Sequence, residues 1–83
     1  MKDKKYYIGQ ILERCNRNLV QMAYWASRGK LLIVQDLESK TQALLEILEN
    51  VFNYTDTQKI KDNMFDYICI AEEHDYFSNF EFL

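Results

Sequence analysis

The chain of 83 residues contains no proline, two glycines and a single histidine. Proline breaks helices and glycine weakens their interiors, so the scarcity of both favours long, uninterrupted helices. The two cysteines are too few for a disulfide scaffold, and we expect reduced core thiols. No apolar run approaches the ~18 residues that cross a bilayer, and the first residues lead into an amphipathic helix, so we expect a cytoplasmic protein without membrane contact.

Residue types that carry chemistry are also scarce. His74 stands among acidic neighbours that diverge by about 100° around a helix, which is typical of a solvated helix end rather than a metal site. No serine or cysteine lies in the glycine-rich turn that activates a nucleophile. Gly9 and Gly29 are too far apart to form a phosphate-binding loop. The sequence therefore predicts no enzyme, no cofactor and no metal site.

Apolar residues recur at steps of three and four in three segments, as expected for one face of a helix. The stripes are Ile8, Leu12, Cys15, Leu19, Met22 and Ala26; then Val34, Leu37, Thr41, Leu44, Leu48 and Val51; then Ile60, Met64, Tyr67 and Ala71. The pattern predicts an all-α fold with more than about 60% helix. We expect one domain over residues 1–83, a small antiparallel three-helix bundle with a short C-terminal helix or aromatic lid.

The predicted helices cover residues 5–26, 31–52 and 56 to 72 or 73. Gly29 suits the left-handed conformation that ends a helix, and Thr55 followed by Gln58 resembles a capping box at the start of the third helix. The third helix either continues through the acidic residues near His74 or breaks there. The second helix has the broadest apolar arc, which places it in the middle of the bundle with Leu44 and Leu48 at the centre of its face.

Charge is divided unevenly along the chain. Residues 1–30 carry seven lysines and arginines against two acids, whereas residues 31–83 carry three lysines against eleven acids. One interpretation is that the basic first helix packs beside acidic helices and that opposite charges pair where the helices meet. The other is a basic face kept for an acidic partner.

Aromatic and cationic residues combine on the first helix and at the C-terminus. On the first helix the partner-binding candidates are Arg17, Val20, Tyr24, Trp25 and Arg28, residue types that carry binding energy at interfaces. At the end of the chain they are Tyr76, Phe77 and Phe80, which Phe82 and Leu83 follow. In an antiparallel bundle both groups meet at one pole. Each group has a second interpretation: Trp25 caps the bundle, and the C-terminal aromatics form a folded lid.

These features favour a non-enzymatic module that binds another protein by occupying its surface. In size and helix pattern the chain resembles small helical export chaperones and phage or plasmid inhibitors, an architectural likeness without a shared motif. A homodimer is also a possible arrangement, because four apolar residues lie outside the main stripes and could form a twofold interface: Val20, Tyr24, Ile47 and Ile70. The alternative is a small nucleic-acid-associated regulator that uses the basic first helix, although an isoelectric point near 5.0 argues against nucleic acid.

Overall fold

The computed structural model describes residues 3–80, with side chains for residues 3–75. Three helices follow one another: α1 (Lys4–Ala26, 23 residues), α2 (Leu31–Asn50, 20 residues) and α3 (Gln58–Phe80, 23 residues). No strand occurs in the described range, and each helix packs against the other two. The prediction of an all-helical bundle is confirmed.

The end of α1 is set by Gly29. Its φ of 69° is the left-handed conformation that glycine adopts without steric cost. The Gly29 N–H donates to the Ala26 carbonyl and the Lys30 N–H donates to the Trp25 carbonyl, both over 3.1 Å. This pair of bonds is the Schellman motif, which satisfies carbonyls that the helix leaves open.

The two glycines should respond in opposite ways to alanine. A Cβ at Gly29 would require a left-handed alanine and would lie 3.1 Å from the His74 Cβ, so we expect Gly29→Ala to cost about 1–2 kcal/mol. Gly9 lies on an exposed turn of α1 with no atom within 4 Å of the added Cβ, so Gly9→Ala should stabilise by about 1 kcal/mol. Urea unfolding of both variants measures this, and equal shifts would contradict it.

The end of α2 lies two residues before the predicted one. Asn53 has a φ of 55°, and the Tyr54 N–H donates to the Leu48 carbonyl over 2.8 Å. Asparagine tolerates this left-handed conformation better than other residues that carry a side chain. The backbone therefore leaves the helix at Asn50, and Phe52, which we predicted inside α2, lies in the connection.

The predicted capping box at the start of α3 is wrong. The helix begins at Gln58, and the first intrahelical bond runs from the Lys61 N–H to the Thr57 carbonyl over 3.1 Å. The Gln58 side chain does not reach back to Thr55. It donates to the Asp62 carboxylate one turn ahead over 2.8 Å.

The helix α3 continues without a break past His74 to Phe80. The predicted end at residue 72 or 73 is therefore too early, and the alternative in which the helix continues is the observed one. The acidic residues around His74 lie within α3 rather than at its final turn. A separate short C-terminal helix does not occur in residues 3–80.

The core is formed by residues of the three predicted stripes together with Leu45, which lies outside the predicted stripe of α2. The buried apolar residues are Cys15, Leu19, Met22, Ala26, Val34, Leu37, Leu45, Leu48, Met64 and Ala71. Ile8, Leu12, Ile60 and Tyr67 are partly buried and pack against them. Both cysteines are free, and burial raises the pKa of the Cys15 thiol.

The stripe of α2 is rotated from the predicted one in its second half. Leu45 is fully buried, whereas Leu44 is only partly buried and Val51 is 66% exposed. The centre of the buried face is therefore Leu45 and Leu48, not Leu44 and Leu48. Since α2 packs on both α1 and α3, its buried arc is wider than one strict stripe and takes in Leu45.

Glu49 joins α2 to the start of α3. Its carboxylate accepts a hydrogen bond from the Thr57 hydroxyl and pairs with the Lys61 ammonium, both over 2.7 Å. The hydrogen bonds from Lys61 and Thr57 lower the pKa of the Glu49 carboxyl, although desolvation acts in the opposite direction. These contacts fix the connection between the two helices.

The lowered pKa of Glu49 predicts a loss of stability in acid. The unfolded chain takes up the proton first, so the contribution is present above the ordinary carboxyl pKa of ~4.3 and disappears as the pH falls through the lower folded value. We expect Glu49→Gln to flatten the acid limb of the stability curve. Melting temperatures across that pH range measure it, and parallel curves for both proteins would contradict it.

Candidate functional site

The outward side of α1 carries the candidate site. Arg17, Val20 and Tyr24 follow one another at steps of three and four, so they share one face of α1, and Arg28 in the turn after the helix reaches back over Tyr24. All four are exposed, with Val20 at 70% and Tyr24 at 49%. The structure therefore brings together the four residues that we predicted for this face. We call these four residues the outer face of α1.

Two neighbouring side chains, Arg28 and Trp25, contact the Tyr24 ring. The Arg28 guanidinium carbon lies 3.5 Å from the centre of the Tyr24 ring, a cation–π contact. Arg28 Nη1 also donates to the Tyr24 carbonyl over 3.0 Å and to the Ser27 hydroxyl over 3.3 Å. The Trp25 ring also meets the Tyr24 ring in an edge-to-face arrangement, with ring centres 4.9 Å apart.

Trp25 connects the outer face to the interior. Its side chain is partly buried and packs against the core, so it serves the fold as well as any surface. Because a buried anchor restrains the ring next to it, the edge-to-face contact limits the rotamers open to Tyr24. The prediction that Trp25 caps the bundle and the prediction that it belongs to the site are therefore compatible.

Arg17 makes a local ion pair. Its Nη2 lies 2.7 Å from a carboxylate oxygen of Glu13, one turn earlier, and the two side chains are 71% and 54% exposed. Exposed pairs at this spacing contribute only ~0.3–0.5 kcal/mol. Arg17 can therefore exchange Glu13 for a carboxylate on another molecule at little cost.

The C-terminal candidates Tyr76, Phe77 and Phe80 have side chains outside the described residues, as do Phe82 and Leu83. What the structure does show is that the backbone and Cβ of His74 lie beside Gly29. The described part of α3 thus reaches the connection between α1 and α2 just before the C-terminal aromatic segment begins.

Within residues 3–75 the charges of α1 form no direct ion pairs with α2 or α3. Among residues 3–75 the ion pairs are Arg17 with Glu13, Lys40 with Asp36, and Lys61 with Glu49. Only the last pair joins two helices, and those are α2 and α3. Among these residues the cations of α1 therefore do not form the pairs with acidic helices that the first interpretation of the charge distribution predicted.

Two surface hollows flank α2, and neither was predicted. The first, of about 650 Å³, lies between α1 and α2 and is lined by Gln10, Ile11, Glu13, Arg14, Arg17, Asn18, Lys40, Ala43 and Leu44. The second, of about 480 Å³, lies on α2 alone and is lined by Glu38, Ser39, Gln42, Ala43 and Glu46. The spacing of Ile11, Arg14 and Asn18 along one stripe is the sequence signal that could have indicated the first hollow.

Residues 3–75 hold no group of three metal-ligating side chains, and none of the three described helices is both long and apolar enough to span a membrane. His74 is exposed, as predicted. The outer face of α1 presents an aromatic ring, an exposed aliphatic side chain and two guanidinium groups. No protein-family model, curated protein or solved structure matches this chain.

Proposed function

We propose that this protein is a non-enzymatic interaction module that occupies the surface of another protein with the outer face of α1. The observation that carries the proposal is Tyr24, a half-exposed ring that contacts both the Arg28 guanidinium and the Trp25 ring. Small inhibitors, adaptors and chaperone-like proteins act in this way.

A fixed aromatic side chain binds at lower entropic cost than a mobile one. Ordering a flexible side chain at an interface costs about 0.5–1.5 kcal/mol, and the contacts of Tyr24 meet that cost before a partner arrives. Tyrosine, tryptophan and arginine are also the residue types enriched where binding energy concentrates. Val20, one turn away, adds apolar area at the same face.

The proposal takes the three helices to alternate in direction. Three contacts support this: Asn18 on α1 donates to Thr41 near the middle of α2 over 3.1 Å, Lys61 near the start of α3 pairs with Glu49 near the end of α2, and His74 lies beside Gly29. The short connection of residues 27–30 supports it as well. In this arrangement Tyr76, Phe77 and Phe80 extend the site or close the end of the bundle.

A photo-crosslinking residue at position 20 tests the proposal in cells of the source organism. We expect a discrete protein adduct that resists nuclease, and we expect Tyr24→Ala to abolish it because the ring supplies the contact. The matched control carries the crosslinker at Asp66, an exposed position on α3. Adducts that form equally at both positions, or that survive Tyr24→Ala, would contradict the outer face of α1 as the site.

Nucleic acid is the second candidate partner, because the arginines of α1 form no ion pair with α2 or α3 among the described residues. In that case the adduct at position 20 is sensitive to nuclease. Binding to duplex DNA would also fall steeply with salt, since each phosphate contact releases counterions. The net charge of −3 favours a protein partner over nucleic acid.

A further inference from the structure

The two hollows beside α2 carry opposite charge. The hollow between α1 and α2 presents Arg14, Arg17 and Lys40 against one acid, Glu13. The hollow on the other side presents Glu38 and Glu46 and no cation. Ala43 lines both hollows, so α2 forms the ridge between them.

The ridge is exposed to solvent, and its central residues have small side chains. Leu32, Asp36, Ser39, Ala43 and Ile47 follow at steps of four, three, four and four, so they lie along the outward side of α2. The small exposed residues Ser39 and Ala43 allow another helix to approach closely. Toward the two ends Leu32 is 81% exposed and Ile47 is 41% exposed, which leaves apolar area for a partner to cover.

The charged side chains that line the two hollows make no strong contacts within the described residues, so they can pair with another molecule. Arg14, Glu38 and Glu46 make no hydrogen bond or ion pair with the described residues. Arg17 and Lys40 make only exposed pairs within their own helices, at 2.7 and 2.9 Å. Such pairs are weak and can be exchanged for a partner's carboxylates.

We propose that a second copy of this chain docks on this face, with the cationic hollow of each copy against the acidic hollow of the other. The symmetry follows from the charges. A twofold axis along the helices brings the cationic side of one face against the acidic side of the other. A twofold axis perpendicular to the helices would instead place the two cationic sides against each other and the two acidic sides against each other. The dimer is therefore parallel, with the two α2 ridges in contact at Ala43.

The heights of the charges agree with a parallel pair. The Asn18–Thr41 hydrogen bond sets a common level on α1 and α2. Arg14 lies four residues from that level, about 6 Å along the axis, and Glu46 lies five residues from it, about 7.5 Å in the same direction when the helices alternate. Arg14 of one copy therefore meets Glu46 of the other at nearly the same height.

Charge reversal tests this pairing. We expect the wild-type protein to show a monomer–dimer equilibrium in sedimentation velocity, and we expect Arg14→Glu or Glu46→Arg each to weaken it on the order of tenfold or more. Each single variant places like charges opposite each other twice in its homodimer. An equal mixture of the two variants restores both contacts, so it should dimerise as strongly as wild type, and native mass spectrometry should show the mixed dimer.

The control is Lys59→Glu, which reverses an exposed cation on α3 that lines neither hollow and should leave dimerisation unchanged. Both test positions are exposed, so circular dichroism melts should show that the variants fold. A wild-type protein that stays monomeric up to ~0.5 mM would overturn the proposal. So would single variants that dimerise normally, or a mixture no tighter than its parts. The test and control variants, at Arg14, Glu46 and Lys59, leave all four residues of the outer face of α1 unchanged, so this test can fail or succeed independently of the proposed function.

Discussion

Leu45→Ala and Leu48→Ala are each expected to lower the free energy of unfolding by about 2–5 kcal/mol. Both side chains are fully buried in the core shared by the three helices. Truncation removes apolar contacts and leaves a cavity that long helices cannot close without moving as units. Domains of this size have only about 5–15 kcal/mol of stability, so either change removes a large part of it.

Two neighbouring positions are the controls. Leu44→Ala should cost less, because that side chain is only partly buried beside the cationic hollow, and Val51→Ala should change the stability by less than about 0.5 kcal/mol. Denaturant unfolding of the four variants measures the order. A larger loss at position 44 than at position 45 would show that α2 is rotated from the orientation described here.

Thr41→Val is expected to cost about 1–3 kcal/mol. The hydroxyl of Thr41 is fully buried, donates to the Leu37 carbonyl over 2.8 Å and accepts from the Asn18 side-chain amide over 3.1 Å. Valine has nearly the same shape but no hydroxyl, so the half-buried Asn18 amide loses its partner.

A serine substitution at position 41 separates the effect of the hydroxyl on stability from that of the methyl group. Thr41→Ser keeps both hydrogen bonds and removes one buried methyl group, and the double variant Asn18→Leu, Thr41→Val removes both polar partners. We expect the double variant to be less destabilised than the sum of its single changes, because neither polar group is left unpaired. Thermal melts of the set measure this. Additive losses would mean that the two side chains do not interact.

Much of the fold could be predicted from the sequence because its signals are local. The stripes of α1 and α3 follow the helical period, and Gly29 ends α1 as its conformational freedom predicts. The details that the sequence did not predict depend on tertiary contacts. Leu45 rather than Leu44 is fully buried because α2 packs against two neighbours.

The ends of α2 and α3 show the same limit. Asn53 takes the left-handed conformation and ends α2 early, while α3 begins two residues late because Gln58 bonds forward to Asp62. At each of these helix ends the backbone can form alternative sets of hydrogen bonds, and helix propensity alone does not predict which set forms.

The candidate site was predicted in part. The spacing of Val20, Tyr24 and Arg28 indicates a shared exposed face, and the structure places them there. The stacking of Arg28 on Tyr24 and the opposite charges of the two hollows could not be predicted, because they depend on rotamers and on how α1 and α2 pack together. The lack of ion pairs between α1 and the other helices among the described side chains depends on the same packing.

The most direct test compares crosslinking from position 20 in three backgrounds. The outer face of α1 and the cationic hollow beside α2 share Arg17, but Val20 and Tyr24 do not line that hollow, so changes at Tyr24 and at Arg14 should have separate effects. We expect the nuclease-resistant protein adduct to form in the wild-type and Arg14→Glu backgrounds and to disappear with Tyr24→Ala. An adduct that persists without the Tyr24 ring would contradict the account, because the ring is the group on which the proposed binding depends.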